Sequence, residues 1–477
     1  MIKKANRTKR EKKMAGSGSR THILVLPYPA QGHINPMLQF SKRLASKGLK
    51  VSLISSSSNM SKSIHARATT SNYVNIQDIT DDYEDGESQR QRSQSVEAYM
   101  ENLKSFIAHN MVKIIEKQNN LGCPVSVLVY DSMMPWALDI AHSLGLKGAS
   151  FITQSCSVSA IYYHVNQGTL KIPTDADGSA VVSVPSLPQL RMSDLPSFVF
   201  EIGSSYPYLL QIVVGQFSNF QQADWVFINT FDSLEDEIVE WMGSQRKIKT
   251  IGPTIPSKYL DKRLTDDKDY GLNLLNPNVE ACMKWLDSKP IRSVVYVSFG
   301  SLANLTETQM KELSQGLLIS NSHFLWVVRA SEENKLPSNF MLESSEKGLV
   351  VNWCPQLDVL AHKGVGCFMS HCGWNSTLEA LSLGVPMIAM PQWTDQTTNA
   401  KFIADVWRVG IRVKFDEKGI VRREEIEKCI NEMMREEKGN DMKMNAEKWK
   451  ELAKQAVDEC GSSDNNVEEF ISRLVCT

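Results

Sequence analysis

Residues 353–396, WCPQLDVLAHKGVGCFMSHCGWNSTLEALSLGVPMIAMPQWTDQ, decide the fold and the chemistry expected of this chain. The apolar run at residues 365–369 predicts a short buried strand, and the apolar spacing from Thr377 predicts a helix that Gly384 ends. Residues 371–376 therefore form a strand-to-helix turn. Such a turn directs free backbone N–H groups and a helix dipole at one point, where a phosphate is the favoured ligand.

Aromatic and polar residues on either side of this turn complete a pattern. Trp353 follows the strand predicted at residues 349–352 and offers a flat face for a base, a stacking interaction worth roughly 1–3 kcal/mol in nucleic-acid complexes. Asp395 and Gln396 follow the strand predicted at residues 387–390 and can hold hydroxyl groups. A base-stacking ring, a diphosphate turn and a polyol clamp in this order indicate a nucleotide-sugar site.

The same stretch resembles the signature box of the plant family 1 UDP-glycosyltransferases, and the resemblance extends from about residue 21 to the C-terminus. It is closest to the subgroup that glucosylates salicylate-like acids, thiohydroximates and triterpenoids. The matching residues in the box align without a gap: Trp353, Gln356, His371, Gly373, Trp374, Asn375, Ser376, Glu379, Pro391, Asp395 and Gln396. The resemblance implies an α/β fold of the GT-B type, with two Rossmann-like doubly wound domains facing each other across a cleft.

A donor site also follows from the resemblance. Glu379 would take the ribose hydroxyls of a UDP-sugar, and Thr153 would contact the sugar. Ser301 follows the strand predicted at residues 293–298, where it could meet a phosphate beside backbone N–H groups. The implied UDP-sugar-binding residues are Thr153, Ser298, Ser301, Trp353, Cys354, Gln356, His371, Gly373, Trp374, Asn375, Ser376, Glu379, Asp395 and Gln396.

His33 and Asp131 are the candidate catalytic residues. The pattern of residues 22–54 predicts a βαβ unit and a parallel sheet, with His33 at the carboxyl edge of the first strand, where open α/β sheets bind ligands. Asp131 ends the strand predicted at residues 125–130. Taken alone, His33 could be a surface histidine and Asp131 could cap the next turn. The family's Gly-His-x-x-Pro pattern implies instead that His33 is the base and that Asp131 supports its imidazole.

Several of the implied donor-site residues could instead have purely structural roles. Ser376 and Glu379 fit the N-cap and N3 positions of a capping box, and Trp353 alone could be a core aromatic residue. In the first half of the chain, Asn35 fits the N-cap of a helix whose first residue is Pro36.

Metal-binding patterns are weak. Cys354, Cys367 and Cys372 lack the paired short spacing of zinc ligands. Residues 267–269 form a DxD pattern, which in one class of glycosyltransferases holds a metal-bound nucleotide sugar. Here the pattern lies in a charged run that we expect to be solvated. We therefore expect no metal and no cofactor, with UDP-glucose as a donor cosubstrate.

Length and composition narrow the class of protein. The chain has 477 residues, nine cysteines and a net charge of −2. No apolar run approaches the ~20 residues of a transmembrane helix, and scattered cysteines without a secretory h-region indicate a reducing cytosol. The first twenty residues hold eight Lys or Arg and one Glu, so the rest of the chain is acidic. We expect a cytoplasmic monomer that binds UDP-glucose and a small-molecule acceptor, without nucleic acid or membrane insertion.

Five segments are predicted along the chain. Residues 1–20 would be a disordered basic extension, 21–254 an acceptor-binding domain and 255–277 an interdomain linker. Residues 278–460 would be the UDP-sugar-binding domain. In the family, the last segment, residues 461–477, crosses back to the N-terminal domain.

The expected function is inverting, UDP-glucose-dependent glucosyl transfer to a hydroxyl or carboxyl of a small apolar natural product. An alcohol is a poor nucleophile until its proton leaves, and His33, with an unperturbed pKa near ~6.5, can accept that proton. Two alternatives remain open. An NAD(P)-dependent oxidoreductase would need a GxGxxG pattern after a strand, which is missing. A non-catalytic nucleotide-sugar-binding protein would bind UDP-glucose without turnover.

Overall fold

The computed structural model describes residues 21–55, 74–79, 95–170, 180–200, 207–270 and 279–475. The predicted basic extension, residues 1–20, and the end of the predicted linker, residues 271–277, lie outside this description. No described helix has the length and apolar character that a membrane span requires.

The first half of the chain forms a parallel sheet. Its strands are β1 (His22–Leu26), β2 (Lys50–Ser55), β3 (Asn75–Asp78), β4 (Val125–Asp131), β5 (Lys147–Ile152), β6 (Val181–Val182), β7 (Leu190–Arg191), β8 (Trp225–Ile228) and β9 (Ile248–Thr250). Seven of them pair in the order β3-β2-β1-β4-β5-β8-β9, and every pair is parallel. β6 and β7 form a separate antiparallel pair.

Helices cover both faces of this sheet. They are α1 (Gln31–Ser46), α2 (Val96–Asn120), α3 (Trp136–Ser143), α4 (Cys156–Asn166), α5 (Ser197–Phe200), α6 (Pro207–Gly215) and α7 (Asp236–Gln245). The alternation of β1 shows the two cores: Ile23 and Val25 pack with α1 residues on one face, and Leu24 and Leu26 pack with α2 residues on the other. Strands buried on both faces are typical of parallel sheets with helical crossovers.

α1 begins more than one turn before the predicted start. Ala30 is its N-cap, and Pro36 lies inside the helix. Since proline has no N–H, the carbonyl of Gly32 is left without the helical donor four residues ahead. Asn375 Nδ2, from the second domain, donates to this carbonyl at 2.7 Å. The prediction of Asn35 as the N-cap is therefore wrong, because a contact between domains satisfies the group that Pro36 leaves free.

The second half repeats the architecture. Its strands are β10 (Val294–Ser298), β11 (His323–Val327), β12 (Gly348–Val351), β13 (Val365–Ser370), β14 (Met387–Ala389) and β15 (Gly410–Arg412). They form a parallel sheet in the order β12-β11-β10-β13-β14-β15. The helices are α8 (Val279–Asp287), α9 (Glu307–Ile319), α10 (Phe340–Glu343), α11 (Gln356–Leu360), α12 (Trp374–Leu383), α13 (Gln396–Lys401), α14 (Arg423–Arg435), α15 (Glu437–Val457) and α16 (Ser462–Val475).

α12 corrects the capping-box interpretation. Its N-cap is Gly373, so Ser376 lies in the first turn instead of capping it. Glu379 accepts hydrogen bonds from Gln356 and from the linker residue Tyr270, not from an N-cap amide. The predicted end of the helix is confirmed: Gly384 adopts φ 71°, a left-handed conformation that glycine tolerates at low cost.

The C-terminal helix lies against the first sheet. The ring of Phe470 in α16 stands 4.9 Å from that of Phe227 and 5.1 Å from that of Trp225, nearly perpendicular to both. Ser463 Oγ donates to Gly252 O at 2.6 Å. The last helix of the chain thus packs on the domain that the first strand begins, as the resemblance implies, while the segment boundaries stay predictions.

Candidate active site

The candidate catalytic pair lies at the carboxyl edge of the first sheet. β1 leads into α1, whose first turn carries His33, and the adjacent strand β4 ends at Asp131. His33 Nδ1 lies 2.8 Å from Asp131 Oδ2, although the two residues are 98 positions apart. Asp131 is fully buried, whereas 23% of the His33 side chain is exposed.

Asp131 takes both roles that its position in the sequence allows. Its Oδ1 accepts from Met133 N at 3.0 Å and caps the turn after β4, while its Oδ2 faces His33. An ionised carboxylate only accepts hydrogen bonds, so His33 Nδ1 carries the donated proton and Nε2 is the basic nitrogen.

Thr153 also reaches the imidazole. It follows β5, and its Oγ1 is 3.1 Å from His33 Nδ1. The N–H at Nδ1 donates mainly to Asp131, and the Thr153 oxygen is a second, more distant acceptor of the same hydrogen. The hydroxyl hydrogen of Thr153 therefore remains available to another acceptor. Thr153 therefore restrains the imidazole, and its contact with a sugar stays a prediction.

His33 is held in an electrostatic environment that favours its protonated form. Burial lowers its pKa, but the charge and hydrogen bond of Asp131 and the charge of Asp395 raise it by more, so the net shift of the pKa is upward. Asp395 belongs to the second domain, and its effect on His33 places the predicted polyol clamp near the candidate base.

The diphosphate turn has the predicted strand-to-helix geometry. β13 ends at Ser370, and the first intrahelical bond of α12 runs from Thr377 N to Gly373 O at 3.0 Å. The N–H groups of Trp374, Asn375 and Ser376 precede that bond, so they point ahead of the helix. The Trp374 indole donates to Asn229 O at 2.7 Å, across the domain interface. Its backbone N–H is thus the group of Trp374 that can meet a diphosphate.

Two glycines leave space for the ring of His371. A Cβ on Gly300 would lie 2.7 Å from His371 Nε2, and a Cβ on Gly373 would lie 2.5 Å from the same atom. His371 Nδ1 is buried and has no hydrogen-bond partner among the described residues. Burial lowers the pKa of His371 to about 4. The ring is therefore neutral at pH 7 and can act as a hydrogen-bond donor.

The loop after β10 supplies the other side of this space. Ser298 ends the strand and is buried, whereas Ser301 is exposed. Arg329, which the sequence analysis missed, donates to the carbonyls of Ser301 and Ala303. Its guanidinium therefore fixes the loop and brings a positive charge to it, but nothing in the local sequence distinguishes Arg329 from a surface arginine.

A hydrogen-bond network forms around Glu379. Gln356 Nε2 donates to Glu379 Oε2 at 2.6 Å and to Ser376 Oγ at 3.0 Å. Gln356 Oε1 accepts from Tyr296 Oη at 3.0 Å, and the same hydroxyl lies 3.3 Å from Cys354 Sγ. Burial raises the pKa of Cys354 to about 12, so its thiol stays protonated.

Trp353 lies beside this network. It follows the edge strand β12 and is half-buried, as a base-stacking ring would have to be. Cys354 next to it is buried, so its backbone groups are the ones that a base could meet.

The predicted polyol clamp is held from within its own loop. Gln396 Oε1 accepts from Gln392 N at 2.9 Å and from Trp393 N at 3.1 Å. Both lone pairs of the amide oxygen are thus engaged, so Nε2 is the group of this amide that remains for a sugar hydroxyl. Asp395 Oδ2 accepts from Asn399 Nδ2 at 2.8 Å.

Asn399 connects the polyol clamp to the diphosphate turn and to the first domain. Its Nδ2 donates to Cys372 O at 2.9 Å, and its Oδ1 accepts from Ser155 Oγ at 3.3 Å in the first domain. Asn399 is not among the residues predicted from the sequence. The signal was its position one helical turn after Asp395, where the two side chains share a face.

The DxD pattern has a structural role. Asp267 is 3% exposed and forms an ion pair with Lys42 at 2.7 Å, and it also accepts from Ser257 N at 2.8 Å. The expectation of a solvated charge run is therefore wrong for Asp267, because α1 covers it.

Comparisons with known proteins agree with this geometry. The model of the family described as UDP-glucoronosyl and UDP-glucosyl transferase matches residues 21–450. The chain is 53% identical over 453 residues to UDP-glycosyltransferase 74E2 of Arabidopsis thaliana, with 95% of this chain and 98% of that protein covered. It is 49% identical over 455 residues to Mogroside I-E synthase of Siraitia grosvenorii, with 95% and 98% covered.

Solved structures share the fold. The crystal structure of Os79 from O. sativa in complex with UDP has a TM-score of 0.85 and 38% sequence identity, and it covers 95% of this chain and 100% of that chain. The same protein in complex with U2F and trichothecene has a TM-score of 0.81 at 37% identity, with the same coverage. With two parallel-sheet domains and near full-length matches of this kind, the chain belongs to the plant family 1 UDP-glycosyltransferases and has the GT-B fold.

Proposed function

We propose that this enzyme transfers glucose from UDP-glucose, with inversion at the anomeric carbon, to a hydroxyl or carboxyl group of a small apolar natural product. The observation that carries the proposal is the His33–Asp131 pair, 2.8 Å apart and facing the domain that holds Asp395. A protein that only bound nucleotide sugars would have no use for a partly exposed histidine held in one tautomer by a buried carboxylate.

The first step is proton removal from the acceptor. His33 Nε2 takes the proton of an acceptor hydroxyl as its oxygen attacks the sugar's C1 from the face opposite UDP. Asp131 stabilises the imidazolium that forms, as the carboxylate of a Ser-His-Asp triad does. The raised pKa of His33 makes it a stronger base than a free imidazole, at the cost of a smaller neutral fraction near pH 7.

The leaving diphosphate is stabilised by neutral donors. The N–H groups at the start of α12 and the helix dipole oppose the developing charge. His371, neutral because burial lowers its pKa to about 4, adds a ring N–H. Ser376 and Ser301 supply hydroxyl and backbone groups nearby. These donors offset the charge without a metal.

Donor recognition uses the remaining residues. Trp353 stacks on the uracil, Glu379 and Gln356 bind the ribose, and Asp395 and Gln396 bind the glucose. Gln396 can only donate, because its amide oxygen is already engaged by two backbone N–H groups. A site with fixed donors and acceptors can reject a sugar with another hydroxyl arrangement, so we expect the enzyme to distinguish UDP-glucose from UDP-galactose.

An apolar acceptor fits the aromatic rings near the candidate base and near the polyol clamp. The ring centroid of Tyr28 lies 5.2 Å from that of His33 in an edge-on arrangement. Trp393, two residues before Asp395, forms a perpendicular aromatic pair with Phe198, with centroids 5.7 Å apart. The names of a mogroside synthase among the relatives and of a trichothecene complex among the solved structures support a terpenoid-like acceptor.

The test is a screen of phenolic acids, triterpenoid alcohols and thiohydroximates with UDP-glucose, in which UDP release is measured and the product's anomeric configuration is read by NMR. We expect a β-glucoside from the α-linked donor. An α-linked product would refute inversion, and UDP-glucose binding without turnover on any acceptor would favour a binding protein.

A further inference from the structure

The linker segment, residues 257–270, bridges the two domains. On the first domain it is held by α1, the helix that carries His33. Lys42 Nζ donates to Asp267 Oδ1 at 2.7 Å and to the Asp269 carbonyl at 2.9 Å, and Gln39 Nε2 donates to the same carbonyl at 3.2 Å. Lys42 and Asp267 are 9% and 3% exposed, so this anchor is shielded from water.

Two tyrosines of the linker segment reach carboxylates of the second domain. Tyr259 Oη donates to Asp358 Oδ1 at 2.7 Å, and Tyr270 Oη donates to Glu379 Oε1 at 2.7 Å. Both rings pack in the same small cluster with Ile255. The two contacts are chemically alike, but only Glu379 belongs to the proposed donor site.

The existing hydrogen bonds of Glu379 leave one acceptor position on each of its carboxylate oxygens. The side chain is 5% exposed, so its charged oxygens need donors. Tyr270 occupies Oε1 and Gln356 occupies Oε2, one donor on each oxygen. A carboxylate has about two acceptor sites on each oxygen. One site per oxygen therefore remains, side by side, which is the arrangement that two adjacent hydroxyls of a ribose require.

We propose that Tyr270 is a positioning residue of the donor site, whose hydroxyl holds the Glu379 carboxylate in the orientation that accepts both ribose hydroxyls of UDP-glucose. The inference rests on the proposed ribose-binding role of Glu379. Without the Tyr270 hydroxyl, only Gln356 restrains the carboxylate, which can then rotate and offer one well-placed oxygen instead of two. Because Lys42 and Gln39 anchor the same segment to α1, the donor site is completed by a part of the chain outside the second domain.

The experiment compares Tyr270→Phe with Tyr259→Phe. Each substitution removes one hydroxyl from the linker segment and keeps the ring, and each leaves one carboxylate of the second domain without a tyrosine donor. We expect Tyr270→Phe to weaken UDP binding by roughly tenfold in calorimetry. The KM for UDP-glucose should rise similarly with little change in kcat, because the ribose is remote from the reacting bond. Tyr259→Phe should stay within about twofold of wild type, as surface substitutions usually do.

Deoxy nucleotides connect the effect to the ribose. With 2′-deoxy-UDP or 3′-deoxy-UDP, one of the two hydroxyls is missing, so Tyr270→Phe should weaken binding less than it does with UDP. A purely structural loss would weaken all three nucleotides equally and would overturn the proposal. Tighter UDP binding by Tyr270→Phe would also overturn it, because the hydroxyl would then compete with the ribose.

Glu379→Gln separates this proposal from the assignment on which it rests. If Glu379→Gln leaves the affinity for UDP unchanged, Glu379 does not bind the ribose and both statements fall. If Glu379→Gln weakens UDP binding and Tyr270→Phe does not, only the Tyr270 proposal falls. Glucosyl transfer is measured separately with wild-type enzyme, so its outcome is independent of either variant.

Discussion

His33 combines a basic nitrogen with a partner that defines its tautomer. Asp131 does this with one carboxylate oxygen, while its other oxygen accepts from Met133 N, which helps to orient the carboxylate. His371 is the opposite case, a buried imidazole whose pKa is lowered to about 4 and which therefore stays neutral. In the proposed mechanism these two histidines serve as a base and as a neutral donor, and burial with or without a carboxylate partner decides between these roles.

The role of His33 predicts a difference between acceptors. For an alcohol or phenol, His33→Ala removes the base and should lower kcat/KM on the order of 10²–10⁴-fold. A carboxylic acid with a pKa near ~4 is already ionised at neutral pH and needs no proton removal, so ester formation should suffer much less. The measurement is kcat/KM on one acid and one alcohol, provided that wild type uses both. Equal losses would mean that His33 acts mainly by position.

Asp131→Asn should change both the rate and its pH dependence. Since Met133 N needs an acceptor, the amide oxygen of the new side chain takes the Oδ1 position and its NH₂ group faces His33 Nδ1. That favours the tautomer with the proton on Nε2, which cannot act as a base.

The pH dependence of kcat/KM shows in which direction Asp131→Asn shifts the pKa of His33. In wild type, kcat/KM should rise with pH through the raised pKa of His33, because only the neutral ring accepts a proton. Without the Asp131 charge, burial dominates and the pKa falls, so the acidic limb of the residual activity should move to lower pH. A limb that stays in place would contradict the assignment of this pKa to His33.

Gly300 offers a test of the space around His371. Gly300 and Gly419 both adopt φ 71°, but a Cβ on Gly300 meets His371 Nε2 at 2.7 Å whereas a Cβ on Gly419 has nothing within 4 Å. Both alanine variants carry the same backbone strain of about 1–2 kcal/mol. Only Gly300→Ala should also lower kcat, by roughly tenfold to hundredfold, because it displaces a donor to the leaving diphosphate. Equal kinetic effects of the two variants would rule out steric displacement of His371.

Among the elements, α1 does more than connect two strands. It carries His33 in its first turn, Pro36 in its interior, and Gln39 and Lys42 on the side that holds the linker segment. The carbonyl freed by Pro36 accepts from Asn375 of the diphosphate turn. One helix of the first domain is thus bonded both to the turn and to the linker, which links the position of the base to the donor site.

Pro36→Ala should separate helix stability from activity. Alanine restores the N–H that bonds to the Gly32 carbonyl, and helix propensity alone favours alanine over proline by up to ~3 kcal/mol. We expect a higher free energy of unfolding together with a severalfold lower kcat/KM, because the new N–H competes with Asn375. In an Asn375→Ala background, the kinetic effect of Pro36→Ala should disappear. A kinetic effect that persists there would show that the two residues act independently.

For the described part of the molecule as a whole, the last helix packs on the domain that the first strand begins. α16 follows the second domain, yet Phe470 is fully buried against Trp225 and Phe227 of the first sheet. Together with the linker segment, α16 makes a second connection between the two domains, whose relative position would set the distance between the proposed base and the proposed donor site.

Phe470→Ala should therefore destabilise the first domain. Truncation of a fully buried phenylalanine costs roughly 3–5 kcal/mol, and hydrogen exchange should rise in β8 and β9, on which α16 packs. Val475→Ala, in the last turn of α16 and 47% exposed, is the control and should change stability by less than ~0.5 kcal/mol. Comparable losses in the two variants would indicate that α16 contributes through helix formation and not through this contact.

The sequence by itself determined the α/β fold and the strand-to-helix turn at residues 371–376, while the ligand contacts of the second-domain residues stay predictions. Apolar runs of five or six residues predicted the central strands, and the short-range order of residues 353–396 predicted the diphosphate turn, because these features depend on neighbours along the chain. β3, β9 and β15, three or four residues long and each at a sheet edge, were not predicted, and neither was the two-residue pair of β6 and β7. Edge strands bury less apolar surface, so their pattern is weak.

Only the tertiary structure decided what depends on distant partners. Four features follow from groups at least ten positions away in the sequence: the start of α1, the contact of Asp131 with His33, the burial of Asp267 and the contact between Tyr270 and Glu379. The turn cap that Asp131 also forms is the local exception. A carboxylate or carbonyl has the same intrinsic preferences wherever it lies. Which donor satisfies it is decided by tertiary packing, within a domain for Asp131 and between segments of both domains for Glu379, and the sequence contains no local signal for that choice.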